Sequence, residues 1–324
     1  MQLKKTLFPS TVLICVHPWF HMRLPCGSGP RSGPYVAAVG GGGYTGGMAV
    51  TQIEALGRRI SRNIEGFGDF VTFCGQTLGW FTRDVGRVRR WRLVWPQMFE
   101  VGTKSIPVVM LTGAFIGMVL AVELYDQFRG FGQETQLGGV TSIAVVKHLG
   151  PVLAAVMLAG RVGGAFAAEL GTMAVTEQID ALRVMGAAPL SYLVVPRVVA
   201  CVIMIPIMTI FSDLLGVLGS WAITVGMFDV TNEDYWRNAA RFVDVWSINT
   251  GLVKSLFFGL AIALISCYKG FNSGSGAQGV GRATTDAFVT SFVAIIVLNF
   301  FLAKFANDLF VLLYGYQGGA MLGG

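Results

Sequence analysis

The residues best placed to do chemistry are the few ionisable ones inside long apolar stretches. Lys147 and His148 stand side by side in the stretch from Leu137 to Ala168, where Arg161 is the other charge. Ionisable groups deep in a bilayer are costly, and where they persist they usually line a cavity or a polar path. A lysine there can attract a lipid phosphate while a neighbouring histidine donates a hydrogen bond. Alternatively, both residues lie near a membrane surface and snorkel to water. Asp213 and Asp308 also fall in apolar stretches, with Lys254 and Lys304 as the available cations. Structural ion pairs account for these acids more simply than a proton relay does.

Other chemistries are poorly supplied. The chain has 3 histidines, two of them (His17 and His21) near its start, and no HExxH motif or Ser–His–Asp set. Ser273 beside Gly274 is the one weak nucleophile candidate. No Gly-Lys-Ser/Thr phosphate loop is present, so this chain is not itself an ATPase. Gly276, Gly279 and Gly281 read as a turn into the last apolar stretch. The 5 cysteines form no CxxC pair, and Cys15, His17, His21 and Cys26 match no zinc spacing. Neither a metal nor a cofactor is expected.

The elements that hold these residues are set by composition. Of 324 residues, 53% are hydrophobic and 13% charged, against about 25% charged in soluble domains. The mean hydropathy is +0.62. Both values indicate a polytopic membrane protein of the all-α class. Five apolar blocks are long enough to span: about Ser105 to Val122, Leu137 to Ala168, Val198 to Phe228, Ile248 to Tyr268, and Ala287 to Leu313. Gly113-xxx-Gly117 and Gly160-xxx-Gly164 allow close helix contact, within one subunit or at a dimer seam.

Residues 1–47 differ from the rest and read as a tail or as upstream sequence, with Met48 as the functional start; residues 315–324 form a second tail. Residues 48–104 read as an interfacial region. Apolar residues at Ile53, Leu56, Ile60, Ile64, Phe67, Val71, Cys74, Leu78, Phe81, Val85 and Val88 define one helical stripe, with Arg58, Arg59, Arg62, Arg83, Arg87, Arg89 and Arg90 opposite. A basic amphipathic helix of this type lies in the membrane interface. Much of the net charge of +6 precedes the first block, which suits anionic headgroups rather than nucleic acid. The positive-inside rule then puts the N-terminus in the cytoplasm, and five spans put the C-terminus on the far side.

Between the second and third blocks lies a short polar stretch. Thr176 is placed to cap a helix, Glu177 and Asp180 sit in its first turn, Gly186 ends it, and Pro189 prevents continuation. Ile179, Leu182 and Met185 make its apolar stripe, and Asp180 and Arg183 an i,i+3 pair. About ten residues with several polar groups cannot span. Tethered tightly to two spans, such a helix is a lever that a soluble partner could grip.

This stretch resembles the signature of the MlaE/YrbE permeases, the membrane subunits of MCE-associated ABC transporters. The similarity includes Ala159-Gly160-Arg161, Glu169-Leu170-Gly171, Thr176-Glu177-Gln178, Met185 and Pro196-Arg197. It extends to Gly113 through Leu120, to Leu149-Gly150-Pro151 and to Gly281-Arg282-Ala283-Thr284-Thr285. It runs from about residue 51 to about 313. The resemblance implies a five-span permease domain over residues 105–314, working as a homodimer in the cell inner membrane. It implies a separate cytoplasmic ABC ATPase (MlaF-like), which uses the ATP and docks on a coupling helix at about 176–187. It also implies a periplasmic MCE-domain protein (MlaD-like) and a lipid cargo, typically phospholipid moving between inner and outer membranes.

The residues so implicated in ATPase coupling are Glu169, Thr176, Glu177, Gln178, Asp180, Arg183 and Met185, and those in lipid binding are Leu120, Lys147 and His148. Family members commonly carry Arg-Glu where this chain has Lys147-His148, so the positive charge is kept and the carboxylate lost. Two other functions compete. An ion-driven secondary transporter would show an internal repeat with paired broken helices, and none is visible. A non-catalytic assembly scaffold leaves no sequence signal of its own.

Overall fold

The computed structural model describes residues 65–81 and 91–314. Those residues are helical almost throughout and contain no strand. Helix α1 covers residues 65–81, and α2 covers Trp91–Gly102. The membrane body follows as α3 (Ile106–Gly130), α4 (Leu137–Ala144), α5 (Gly150–Leu158), α6 (Gly164–Val175), α7 (Gln178–Val184), α8 (Val195–Gly226), α9 (Asn232–Phe242), α10 (Val245–Phe271) and α11 (Gly276–Tyr314). Five helical segments are long and apolar enough to cross a membrane: Ile106–Gly130, Glu134–Val175, Leu190–Gly226, Val245–Phe271 and Gly276–Leu313.

The core sits where α5, α6, α8 and α10 meet. Leu158, Phe166, Ile205, Met208, Phe258 and Ile262 are all shut off from the surface there. α8 lies centrally, against α2, α3, α5 and α10. Close approach of α3 and α8 needs glycine. A Cβ at Gly113 would fall 2.5 Å from the Ser212 carbonyl oxygen, and one at Gly117 closer still to that of Gly216. Both glycines of the first GxxxG pair are therefore spent inside one subunit. Gly160 of the second pair touches Phe288, whereas Gly164 faces open space. On the outer side of α3, Val108, Leu111, Phe115, Val119 and Val122 form a continuous exposed stripe. Such a face is stable in hydrocarbon, where aliphatic side chains lose nothing by exposure.

Several boundaries differ from the sequence expectation. The second span is one 42-residue segment in which wide π-type turns at Val145–Leu149 and Ala159–Gly163 separate α4, α5 and α6. Hydrophobic periodicity does not reveal such turns, because they shift the helix face by one residue without changing composition. The last helix starts at Gly276, not near Ala287, so Gly279 and Gly281 lie in its opening turns rather than in a preceding turn. Gly276 takes φ +76, and Gly279 packs directly on the Gly274 backbone. The acidic connection after the third span contains α9, whose Tyr235 is fully buried and donates to the Val217 carbonyl at 3.0 Å.

Within α1, Phe67, Val71 and Leu78 of the expected stripe point outward. Phe70 and Phe73 instead pack edge-on against Tyr268 at the end of α10, with ring centroids 5.3 and 5.6 Å away. Phe67, Val71 and Leu78 thus face the surroundings rather than the body of the protein, whereas Cys74 and Phe81 of the same stripe are half-buried. Ile53, Leu56, Ile60, Ile64, Val85 and Val88 of that stripe, the seven arginines opposite it, the Cys15–Cys26 group and both tails lie outside the described residues.

Candidate functional site

Two sites draw together the residues singled out by the sequence. The first is built around α7. Helix α6 ends at Thr176, whose hydroxyl donates back to the Thr172 carbonyl at 2.8 Å. Thr176 therefore closes α6 instead of capping α7. The chain reverses at Glu177, which takes a left-handed φ of 58 and stands at the N-cap of α7 with no side-chain capping bond. The tight reversal leaves no extended residue from which a threonine could cap. At the other end the expected stop is present. Gly186, at φ +74, donates to the Arg183 carbonyl at 3.0 Å, and Ala187 to that of Leu182 at 3.1 Å. These two bonds form a Schellman closure.

Of the three apolar stripe residues, Ile179 is buried and anchors the helix, while Met185 is 72% exposed beside Val184 at 89%. An interior apolar stripe is therefore not what α7 presents; its last turn offers a small greasy knob. Gln178 and the Asp180–Arg183 pair, 2.8 Å apart, also face outward. A polar cleft of about 410 Å³ separates α7 from the start of the α10–α11 connection, with Glu177, Asp180 and Arg183 on one wall and Phe271 and Ser273 on the other. The Ser273 hydroxyl donates to the Gly171 carbonyl at 3.3 Å, a structural use rather than a nucleophilic one.

Beneath this helix the two spans that carry it are bolted together. Glu169 on α6 accepts from the Arg197 guanidinium of α8 at 2.7 Å. Arg197 also donates to the Leu193 carbonyl at 3.3 Å and lies 5.5 Å from the centre of the Phe166 ring. It is only 7% exposed, against 44% for Glu169, so the pair is held from one side. The sequence identified Glu169 but assigned Arg197 no role beyond its place in a motif. The signal for its partnership was a lone arginine entering an apolar span.

The second site lies at the first π-type turn of the second span, Val145–Leu149. Lys254 of α10 is 1% exposed. Its ammonium donates to the Lys147 carbonyl at 3.2 Å and stands 3.5 Å from His148 Nδ1. Lys147 is half-buried and His148 exposed. Three basic side chains thus meet with no carboxylate in ion-pair range among the described residues, an arrangement that favours an anionic guest. Beside Lys254 an apolar hollow of about 180 Å³ runs between α10 and α11, walled by Trp246, Phe257, Leu302, Phe305 and Leu309. Leu120 sits half-buried on α3 and lines neither this hollow nor the groove at Asp213.

Lys254 was read from the sequence as a partner for Asp213 or Asp308. Its ammonium instead goes to the Lys147 carbonyl, which lies in the widened turn. Asp308 pairs with Lys304 one turn before it on the same helix, at 3.6 Å. Asp213 Oδ1 is buried with no hydrogen-bond partner. It lies so close to Gly150 that a Cβ there would fall on it.

Comparison with known proteins agrees with this architecture. The family model "Permease MlaE" matches residues 94–305. A probable ABC transporter permease protein of Synechocystis is 44% identical over 218 residues, covering 67% of this chain and 82% of its own length. One from Rickettsia bellii is 37% identical over 257 residues, covering 79% of this chain and 98% of its own. The chloroplastic protein trigalactosyldiacylglycerol 1 of Arabidopsis thaliana is 38% identical over 215 residues, covering 66% of this chain and 61% of its own. With five membrane-length helices, a matched region spanning most of the body, and relatives named as permeases, the chain is a member of the MlaE family of ABC transporter permeases.

Proposed function

We propose that this chain is the membrane subunit of an ABC-type lipid transporter, acting as a homodimer on phospholipid. The observation that carries the coupling half of this proposal is the bolt beneath α7. A short exposed helix joins two spans whose ends are locked by Glu169 and Arg197. Force applied to α7 by a separate cytoplasmic ATPase would therefore move α6 and α8 as one unit. The Val184–Met185 knob and the charged cleft beside it supply an apolar anchor with a polar rim, the composition of a protein-docking patch. In this arrangement α7 faces the cytoplasm of the inner membrane, as does the N-terminus. The α9 end and the C-terminus face the periplasm, where an MCE-domain partner would sit.

The lipid half is supported by the basic cluster of Lys147, His148 and Lys254 beside an apolar hollow. Phosphate and acyl chain would find complementary surfaces there. One relative's name contains that of a galactolipid, which agrees with lipid cargo. Co-expression with a candidate ABC ATPase from the same organism, purification in mild detergent and identification of bound proteins and lipids tests both halves. Val184→Asp should abolish ATPase co-purification while leaving bound phospholipid in place. Lys147→Met should do the reverse. If α7 is labelled from the periplasmic side in intact cells, or if ATPase attachment survives Val184→Asp, the coupling assignment is wrong. If the purified protein carries no phospholipid, the cargo assignment is wrong.

A further inference from the structure

Among the described residues, Asp213 is the one carboxyl group with a buried, unpartnered oxygen, and the coupling and cargo sites leave it unexplained. It stands midway along α8, and its Oδ1 finds no donor among the described residues. The side chain cannot retract toward α5, because Gly150 already lies against it. The same residue borders a groove of about 430 Å³ between α8 and α10, roofed by α9. The other walls are Val146, Ile210, Leu214, Leu218, Trp236 and Leu252. Among the described residues, no lysine or arginine contributes to that lining. A carboxyl group in such surroundings is costly unless a guest brings a hydrogen-bond donor.

The groove also limits what the guest can be. Its walls are aliphatic over most of their area and suit an acyl chain. Ile210 and Leu214 are 49% and 52% exposed, so the groove opens sideways, toward the surrounding bilayer. Trp236 stands at its rim, and Trp221 and Trp246 occupy the same end of the bundle. Tryptophans gather at the level of lipid headgroups. A second copy of the chain is a poorer fit. The long exposed faces of α3 and α11 offer mainly aliphatic and aromatic side chains.

Building on the phospholipid cargo assigned above, we propose that this groove is a second lipid site, selective for phospholipids with an ammonium headgroup. Oδ1 is sealed against Gly150, so the ammonium donates to the other carboxyl oxygen of Asp213, and an acyl chain lies along Ile210, Leu214 and Leu218. The site is distinct from the basic cluster at Lys254: Asp213 of α8 borders the groove on one side of α10, and the bases gather around Lys254 of α10. A zwitterionic headgroup complements both, whereas an anionic one complements only the second.

The test uses the full chain with its co-purified ATPase, in nanodiscs of equimolar phosphatidylethanolamine and phosphatidylglycerol, with retained lipid quantified by mass spectrometry. Wild type should retain phosphatidylethanolamine in excess. Asp213→Asn, which keeps shape and removes charge, should lower the retained ethanolamine-to-glycerol ratio about tenfold, as expected for one charge-assisted hydrogen bond. Leu214→Trp changes an exposed position and fills the groove, so it should lower the ratio without depending on the acid. An unchanged ratio in both variants overturns the proposal while leaving the phospholipid assignment intact. When diacylglycerol, which has a hydroxyl but no ammonium, is added to the same nanodiscs, its retention at a level equal to phosphatidylethanolamine overturns the headgroup assignment. Wild type retaining no phospholipid at all removes this site and the cargo assignment together.

Discussion

Replacing Gly113 by alanine tests whether the α3–α8 seam is held by backbone contact. The added Cβ would lie 2.5 Å from the Ser212 carbonyl oxygen, 2.9 Å from its hydroxyl and 3.0 Å from its Cα. Ordinary contact begins at 3.4 Å, so the helices must part by about 0.9 Å at that point, in a seam with little slack. Most of the obstacle is main chain, which cannot swing aside as a flexible side chain would. Overpacking of this kind costs about 1–3 kcal/mol, and a backbone wall puts the expected loss in the upper half of that range. Gly117 sits one turn further on, facing the Gly216 carbonyl, so separation at one glycine spreads to the next. At about 2–4 °C per kcal/mol for a domain of this size, the thermal midpoint in mild detergent should fall by roughly 5–10 °C. Gly281→Ala is the control. It lies within α11 with nothing within 4 Å of an added Cβ and should match or exceed wild type, since alanine favours helix by about 1 kcal/mol over glycine. A Gly113→Ala protein as stable as wild type would refute the backbone-contact account of the seam.

Arg197→Met should lower stability by about 2–4 kcal/mol, because it strands Glu169 and removes the Phe166 contact; the half-exposed Glu169 keeps the loss below that of a fully buried pair. Thermal melting measures that loss, and Arg197→Lys should recover only part of it. Tyr235→Phe removes the donor to the Val217 carbonyl and should cost about 1 kcal/mol, seen as a midpoint lowered by a few degrees with the fold unchanged by circular dichroism. Gly186→Val forces a β-branched residue into a left-handed conformation, at a cost of about 1–3 kcal/mol; faster amide exchange confined to α7 is the expected result. Cys74 is half-buried, and burial raises its thiol pKa, yet maleimide should still label it before the fully buried Cys201 and Cys267, as peptide mass mapping would show.

Much of the fold could be read directly from residue order. Bilayer crossing depends on the length and apolarity of contiguous stretches, so five spans and a short polar helix between the second and third follow from composition along the chain. The Schellman stop at Gly186 and the Asp180–Arg183 pair are local in the same way, since each depends on residues within one or two turns. Lys147, the residue proposed to attract a phosphate, was visible as a charge in apolar surroundings.

What tertiary structure alone decided is which partner each of these groups found. Thr176 looked like a cap, but the chain reverses so tightly at Glu177 that its hydroxyl serves the preceding helix. Lys254 could pair with either acid by type, and packing sent it to the Lys147 carbonyl, leaving Asp213 bare. Arg197 gained its importance only when α6 and α8 came together around Glu169. The burial of Gly113 and Gly117 against α8 likewise depends on residues far apart in the chain. Local patterns set where helices begin and end, because those hydrogen bonds are short-range. The meeting of charges across helices is set by how whole helices pack, and one sequence read in a line carries no distance between them.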